Sequence, residues 1–407
     1  MLYRLEIENF SSIRDQQILD LTVSANVPDP ESRFSPLFPG SDLRAPKVLA
    51  LYGPNASGKT TVLKALDFIA SYIRDSALRT VPGFACERFN DEDSASRPIR
   101  LAVEFGGVMD LTPEQSTRAE AGEYVDVGVY RYDLEILVKD GAGYEVGVEQ
   151  LRQKPDGRGK WQRVFERNGD VLVGSKTFPL VGYRHLLNTL KSNVSVISSF
   201  AQFGHPSAEL FADISRRVFS NFTHAPNDDT WVVNYLKSFP DVLAKVNRDL
   251  SRIDVGVEEM RIVETPTGSL PMFRHAGLQF EMPWPMESHG TRAFIRMFPF
   301  LSATLDRGGV AILDEFDIAI HPLVLPDILR WFYDSAGRNP HNGQLWFSVH
   351  SASLLDDLNK EEVILCEKDS KGRTHVFSLM DIKSVRRDEN LYRKYLSGAF
   401  GAVPNIG

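Results

Sequence analysis

Residues 53–60, Gly53-Pro54-Asn55-Ala56-Ser57-Gly58-Lys59-Thr60, have the types and spacing of a phosphate cradle, G-x-x-x-x-G-K-[ST]. Glycines allow the backbone to wrap so tightly that several N–H groups point at one anion, and the helix that follows adds its positive N-terminal end. Lys59 is long enough to reach the β and γ phosphates of a nucleotide, and the Thr60 hydroxyl can coordinate Mg²⁺. The expected cofactors are therefore ATP and Mg²⁺. The expected binding set is Gly53, Asn55, Ala56, Ser57, Gly58, Lys59, Thr60 and Thr61.

Two further stretches carry chemistry. Gly309-Val310-Ala311-Ile312-Leu313 is an apolar run that stops at Asp314 and Glu315. Paired acids at the end of a buried strand lie at the sheet edge where open α/β folds bind ligands. Asp314 would hold the metal shell and Glu315 would orient or deprotonate an attacking water. Gln344–Val349 is a second apolar run, ending at His350. Its imidazole can hydrogen-bond a γ-phosphate or the water attacking it. His350 follows Asp314 by one helix and one strand, which predicts a neighbouring strand with its end at the same edge. His321, before Pro322, reads equally as part of a dimer-facing loop or as an ordinary residue at a helix start.

These groups need a scaffold. Leu2, Tyr3, Leu5 and Ile7 alternate with polar residues as in a half-buried strand, and residues 18–23 offer a second strand of a hairpin. Residues 27–46 are rich in Pro, Ser and Asp and read as a loop. Val48–Tyr52 predicts a strand into the cradle, and residues 61–77 a helix out of it. From 98 to 176, short alternating runs separated by Asp140-Gly141 and Asn168-Gly169 predict an antiparallel β lobe. Residues 181–255 read as helical, near 181–192, 206–222 and 229–251. Short strands follow at 256–281, a helix at 291–306, a strand at 309–313 and a helix at 322–336. A strand at 344–348, a helix at 351–358, a strand pair at 362–367 and 373–378 and a helix near 388–396 complete the chain. The expected division is an N-terminal lobe at 1–180, a helical insertion at 181–255 and a C-terminal lobe at 256–407. The fold class is α/β: a P-loop NTPase with an antiparallel β lobe, a mixed or parallel core sheet and a helical insertion.

Composition supports a globular protein: 43% of residues are hydrophobic and 25% charged, enough apolar mass for a large core. A net charge of −8 rules out a uniformly basic nucleic-acid-binding surface but leaves room for a local basic patch. Cys86 and Cys366 stand far apart without metal-ligand spacing, which suits a reducing cytoplasm. No run of 18 apolar residues suggests a membrane span, and the N-terminus lacks a signal-peptide pattern.

LEIENFSSIRDQQILDL, GPNASGKTTVLKAL, ESHGTRAF and ILDEFDIAIHP with FSVHSASLLD occur in a fixed order. Together they resemble the ABC-type ATPase heads of the SMC/RecF/OLD group. More closely, the chain resembles the AAA-family ATPases of bacterial defence loci, among them OLD ATPase domains, RloA- and AbiLii-like proteins and the ATPases of the Septu and PARIS systems. The ending RRDENLYRKYLSGAFGAVPNIG is also similar to the tail of that group. The resemblance implies that Ser288, Gly290 and Thr291 form a signature segment contacting the γ-phosphate bound by a second protomer; an ordinary helix cap at Ser288 or Thr291 is the alternative. It implies an inter-lobe glutamine that joins the metal shell, for which Gln202 is the candidate, with Gln150 and Gln162 as alternatives. Arg14 resembles a basic residue that approaches the nucleotide, and reads equally as a surface arginine.

The chain departs from SMC proteins in lacking a long coiled coil and from OLD proteins in having too few residues after His350 for a TOPRIM nuclease. Glu367 and Asp369 read as part of a β-hairpin. The resemblance implies an ATP-sandwich homodimer or higher oligomer that controls a separately encoded nuclease or toxin in anti-phage defence, with nucleic acid or a phage protein as further partners. The alternative is a RecF/SMC-like, ATP-dependent DNA-binding protein of repair or recombination.

Overall fold

The computed structural model describes the 407-residue chain except residues 79–85, 109–126, 140–142, 224–228, 254–255, 267, 388 and 405–407. The expected Asp140-Gly141 turn lies outside the described residues.

The strands in chain order are β1 (Leu2–Glu8), β2 (Gln17–Asp20), β3 (Val23–Ser24), β4 (Phe34–Pro36), β5 (Leu43–Pro46) and β6 (Val48–Tyr52). The antiparallel lobe adds β7 (Ile99–Val108), β8 (Val127–Lys139), β9 (Gly143–Pro155), β10 (Gln162–Asn168) and β11 (Val171–Gly174). Then come β12 (Val218–Ser220), β13 (Val257–Thr265), β14 (Gly268–His275), β15 (Met282–Pro283), β16 (Val310–Leu313), β17 (Gln344–Ser348), β18 (Val363–Lys368) and β19 (Thr374–Ser378).

The site rests on a six-stranded sheet in the order β12-β16-β17-β6-β18-β19, parallel from β12 to β18 and closed by antiparallel β19. Parallel strands covered on both faces read as continuous apolar runs, and β6, β16 and β17 are buried throughout. Alternation divides them between two cores. Leu49, Leu51, Ile312 and Trp346 pack toward the helix Lys59–Asp75, while Val48, Ala50, Leu313, Leu345 and Phe347 pack toward the helices His289–Arg307 and Leu325–Tyr333.

A seven-stranded antiparallel sheet, β11-β10-β9-β8-β7-β1-β2, lays Leu5, Ile7, Leu101, Val103 and Tyr132 into the core of helix Lys59–Asp75. Its other face carries a cross-strand row, Asp20, Arg4, Glu104, Arg131, Arg152, one residue per adjacent strand. Opposite charges in register bond across the strands: Arg4 reaches Asp20 at 2.9 Å and Arg131 reaches Glu104 at 2.7 Å, and both arginines also converge on Glu6 at 2.7 Å.

Several elements differ from expectation. Residues 27–46 are not only loop: they contain β4 and β5, which pair with β3 in a small sheet, and Leu37 and Ala45 join Tyr3 and Val129 in a separate apolar cluster. The predicted helix 206–222 ends at Ser215, and Val218–Ser220 instead becomes the edge strand β12, pairing in parallel with β16. The β-branched and aromatic pair Val218-Phe219 prefers that pleated position. The 229–251 helix is broken in two at Pro240 (Asp229–Ser238, Pro240–Ile253), since proline cannot continue the hydrogen-bond ladder. Residues 181–192 yield only the turn Arg184–Leu187. The core sheet takes β6, β12 and β16 from all three of the expected sequence segments. Among the described residues no helix is long and apolar enough to cross a membrane.

Candidate functional site

β6 delivers the loop 53–58 to the C-terminal edge of the parallel sheet, and the helix Lys59–Asp75 leaves from it. Three residues of the loop have positive φ: Gly53 at 148°, Ala56 at 61° and Gly58 at 107°. Glycine is required at both ends for space as well. A Cβ on Gly53 would stand 2.1 Å from the Cys366 carbonyl oxygen, and one on Gly58 2.4 Å from the Thr374 hydroxyl. Thr374 buttresses the loop: its hydroxyl donates to the Ser57 carbonyl and accepts from Ser12 Oγ, both at 2.9 Å. Ser12 Oγ in turn lies 2.9 Å from Thr61 Oγ1. The β1–β2 hairpin and β19 therefore hold the cradle from outside. Lys59 Nζ donates to the carbonyls of Gly53 at 2.8 Å and Pro54 at 3.2 Å. Burial pushes its ammonium below the usual lysine range, opposed by the nearby Cys366, Asp314, Asp317 and Glu315.

Asp314, just past β16, meets the cradle directly. Thr60 Oγ1 donates to its carboxylate at 2.9 Å and Ser348 Oγ donates at 2.5 Å. Asn221, at the end of β12, clamps the Asp314 backbone from the other side: Nδ2 donates to its carbonyl and Oδ1 accepts its N–H, each at 3.0 Å. A threonine hydroxyl and a carboxylate converging beside a buried lysine are the hard-oxygen set that Mg²⁺ takes alongside phosphate oxygens.

Glu315 adopts φ 56°, a strained setting for a non-glycine residue, and its N–H is held by Ser348 Oγ at 2.7 Å. Its side chain is exposed and stands 4.0 Å from His350 Nε2. β17 lies between β16 and β6, so His350 sits at the same edge as both carboxylates and the cradle. Asp317 fixes the His350 loop, accepting the N–H groups of His350 at 3.0 Å and Ser351 at 2.6 Å. The arrangement can bind a triphosphate, hold a divalent cation and direct a water in line with the γ-phosphate.

Ser288 caps helix His289–Arg307, its Oγ accepting the Thr291 N–H at 3.0 Å, and it remains exposed. A Cβ on Gly290 would fall 2.7 Å from the Ala319 carbonyl oxygen, so this glycine lets the helix start approach the turn after Glu315. His321 is exposed in that same turn, where its Nδ1 accepts the Leu323 N–H at 3.3 Å.

Gln202 is not brought to the site. The run before it is a helix, Val196–Ala201, and it docks on the far end of the cradle helix. There Ser195 N–H bonds Ser76 Oγ and Ser198 Oγ accepts the Ala77 N–H. Some fifteen residues of helix separate that end from Thr60, about 22 Å at 1.5 Å per residue. Gln150 and Gln162 lie on β9 and β10, away from the sheet edge. Arg14 is engaged by Asp91, Asp15 and Asp93 at 2.6, 2.9 and 3.0 Å. The sequence reading missed Asn221, Ser348 and Asp317. For Asn221 the signal was the apolar run Val218-Phe219 ending in a polar residue, as β16 and β17 also do.

Two solved structures are similar in outline. An SMC head bound to the C-winged helix domain of ScpA is 13% identical, with 93% of this chain and 97% of that one covered and a TM-score of 0.44. The SMC head domain from Thermotoga maritima is 12% identical, with 93% and 98% covered and a TM-score of 0.41. No curated protein matches the sequence. Residues 48–356, from β6 through the His350 loop, match the family described as "AAA domain, putative AbiEii toxin, Type IV TA system". That span is well over half of the chain and takes in the cradle, the carboxylates and His350, and the chain belongs to this AAA family.

Proposed function

We propose that the chain is an ATP-hydrolysing switch that dimerises around ATP in the cytoplasm and controls a partner effector, a nuclease or toxin, in anti-phage defence. The observation that carries the reading is the hydrogen bond from Thr60 to the Asp314 carboxylate beside Lys59, at the sheet edge shared with Glu315 and His350. Lys59 exchanges its loop carbonyls for the β and γ phosphates. Thr60 and Asp314 would hold Mg²⁺, which when bound neutralises charge on the phosphate oxygens. Glu315 orients the attacking water and takes its proton, and His350 polarises the same water or the γ-phosphate. Ser288 and Gly290 of a second copy offer an exposed helix start to that phosphate. Hydrolysis then opens the dimer. The family description, which names a toxin–antitoxin setting, supports an effector partner.

The test is Glu315→Gln. It should slow hydrolysis at least ~100-fold while ATP stays bound and dimers accumulate on a sizing column. Hydrolysis at the wild-type rate removes Glu315 from its role. Co-purification from the native locus, with and without ATP, identifies the effector.

A second reading, ATP-dependent nucleic-acid binding, is favoured by the β9–β10 hairpin. There Lys154 lies 4.7 Å over the Trp161 ring, with Arg158, Lys160 and Arg163 exposed around it. It requires DNA affinity that falls steeply with salt. A filter-binding titration showing none would remove it.

A further inference from the structure

The C-terminal segment returns to the start of the cradle. The helix Leu391–Leu396 buries Tyr395, whose ring meets Tyr52 edge-on at 5.6 Å. Tyr52 is the last residue of β6, and Gly53 follows it. The Tyr395 hydroxyl faces the Gly53 backbone and donates to the Ala402 carbonyl at 3.0 Å. The chain beyond the helix turns back through Gly398, Gly401 and Ala402, all at positive φ. Ala402 N–H then bonds Glu367 Oε2 on β18 at 3.2 Å, and a side chain on Gly401 would crowd that same oxygen at 3.0 Å. At the other end, Asn390 Nδ2 bonds Asp356 at 3.1 Å, in the turn that follows His350.

We infer that residues 391–402 form a strap that sets the entrance of the phosphate cradle, with Tyr395 as the positioning residue. Gly53 is the pivot. Its carbonyl holds Lys59 Nζ at 2.8 Å, the Tyr395 ring packs on Tyr52 immediately before it, and its φ of 148° aims the amides that follow. Cys366 O fills the space where a side chain would otherwise brace it. The strap touches neither Glu315 nor the Asp314 carboxylate. It therefore acts on ATP binding, which is common to ground and transition states, and leaves the chemical step alone.

The inference rests on the ATPase reading, and the experiment separates the two. Tyr395→Phe in the full chain keeps the ring against Tyr52 and removes the hydroxyl. Affinity for a fluorescent ATP analogue should fall about five- to tenfold and KM should rise in step, with kcat at saturation within about twofold of wild type. The melting midpoint should drop by no more than about 4 °C, so the loss is not unfolding. Glu367→Ala, which frees Ala402 from β18, should raise KM in the same direction and carries the test should Tyr395→Phe fail to fold. Wild-type affinity in a folded Tyr395→Phe overturns the strap alone, as does a fall in kcat without a change in KM. A wild type that binds no ATP overturns both readings together.

Discussion

The Thr60 hydroxyl donates a 2.9 Å hydrogen bond to the Asp314 carboxylate, joining residues 254 positions apart in the chain. Two strand ends at one sheet edge make this possible, and Ser348 on the strand between them holds the same carboxylate. On the proposed function, a carboxylate so placed would serve the metal shell rather than the phosphates directly. Asp314→Asn should therefore weaken ATP binding in Mg²⁺ about tenfold or more while leaving metal-free ATP binding within about twofold. Titration of labelled ATP with and without chelator checks this. Equal losses in both conditions would assign Asp314 to scaffold alone.

Gly58 combines a φ of 107° with a Thr374 side chain 2.4 Å from its Cβ position. The first constraint is conformational and the second steric. Gly58→Ala should cost roughly 1–3 kcal/mol and abolish ATP binding. Adding Thr374→Ala removes the two nearest clashing atoms, keeps Cβ at 2.9 Å, leaves the backbone strain in place and should restore neither. Recovery of binding in the double variant would make the clash the cause and the backbone strain incidental.

The periodic parts of this site were legible before folding. Val48–Tyr52, Val310–Leu313 and Gln344–Ser348 are buried strands whose apolar runs stop where chemistry begins, and all three reach one edge. What escaped was the short and the non-local. Val218–Ser220 is only three residues long and follows a helix, so the helical period ran through it and concealed Asn221. Gln202 follows an apolar run, Val196–Ala201, much as the site residues follow theirs. The Ser195 cap and the packing on Ser76 and Ala77 make that run a helix at the wrong end of the molecule. Ser348 lies inside an otherwise apolar run, and only the parallel register with β16 shows that its hydroxyl faces Asp314.

Glu6 links the outer face of the β lobe to the hairpin that buttresses the cradle. Burial alone would raise its carboxyl. Hydrogen bonds from Arg131 and Arg4 outweigh burial and hold it at about 2, below its ordinary 4.5. A depressed carboxylate stabilises the fold above the unfolded value, and that contribution fades as pH falls from about 4.5 toward 2, because the unfolded chain takes up the proton first. Glu6→Gln should thus lower the urea midpoint clearly at pH 6.5 and much less at pH 3. A midpoint difference of the same size at both values would mean that the charge of Glu6 contributes nothing.

Asn221 and Gln202 offer the sharpest contrast between pattern and geometry. Asn221 makes two hydrogen bonds to the backbone of Asp314, at 3.0 Å each. Asn221→Ala leaves the Asp314 N–H and carbonyl without that clamp, and the carboxylate swings on a looser pivot at the end of β16. Misplacement of a metal-shell group by a fraction of an ångström is costly in a site that works by positioning. The expected result is a fall in kcat of about tenfold or more, with a melting midpoint only a few degrees lower. Gln202→Ala removes an exposed side chain at the far end of the cradle helix and should leave Mg²⁺-dependent hydrolysis within about twofold of wild type. Steady-state rates for the two variants, measured side by side over a Mg²⁺ titration, decide the matter. If Gln202→Ala shifts the Mg²⁺ dependence and Asn221→Ala does not, the inter-lobe residue is the glutamine, and β12 serves only to complete the sheet.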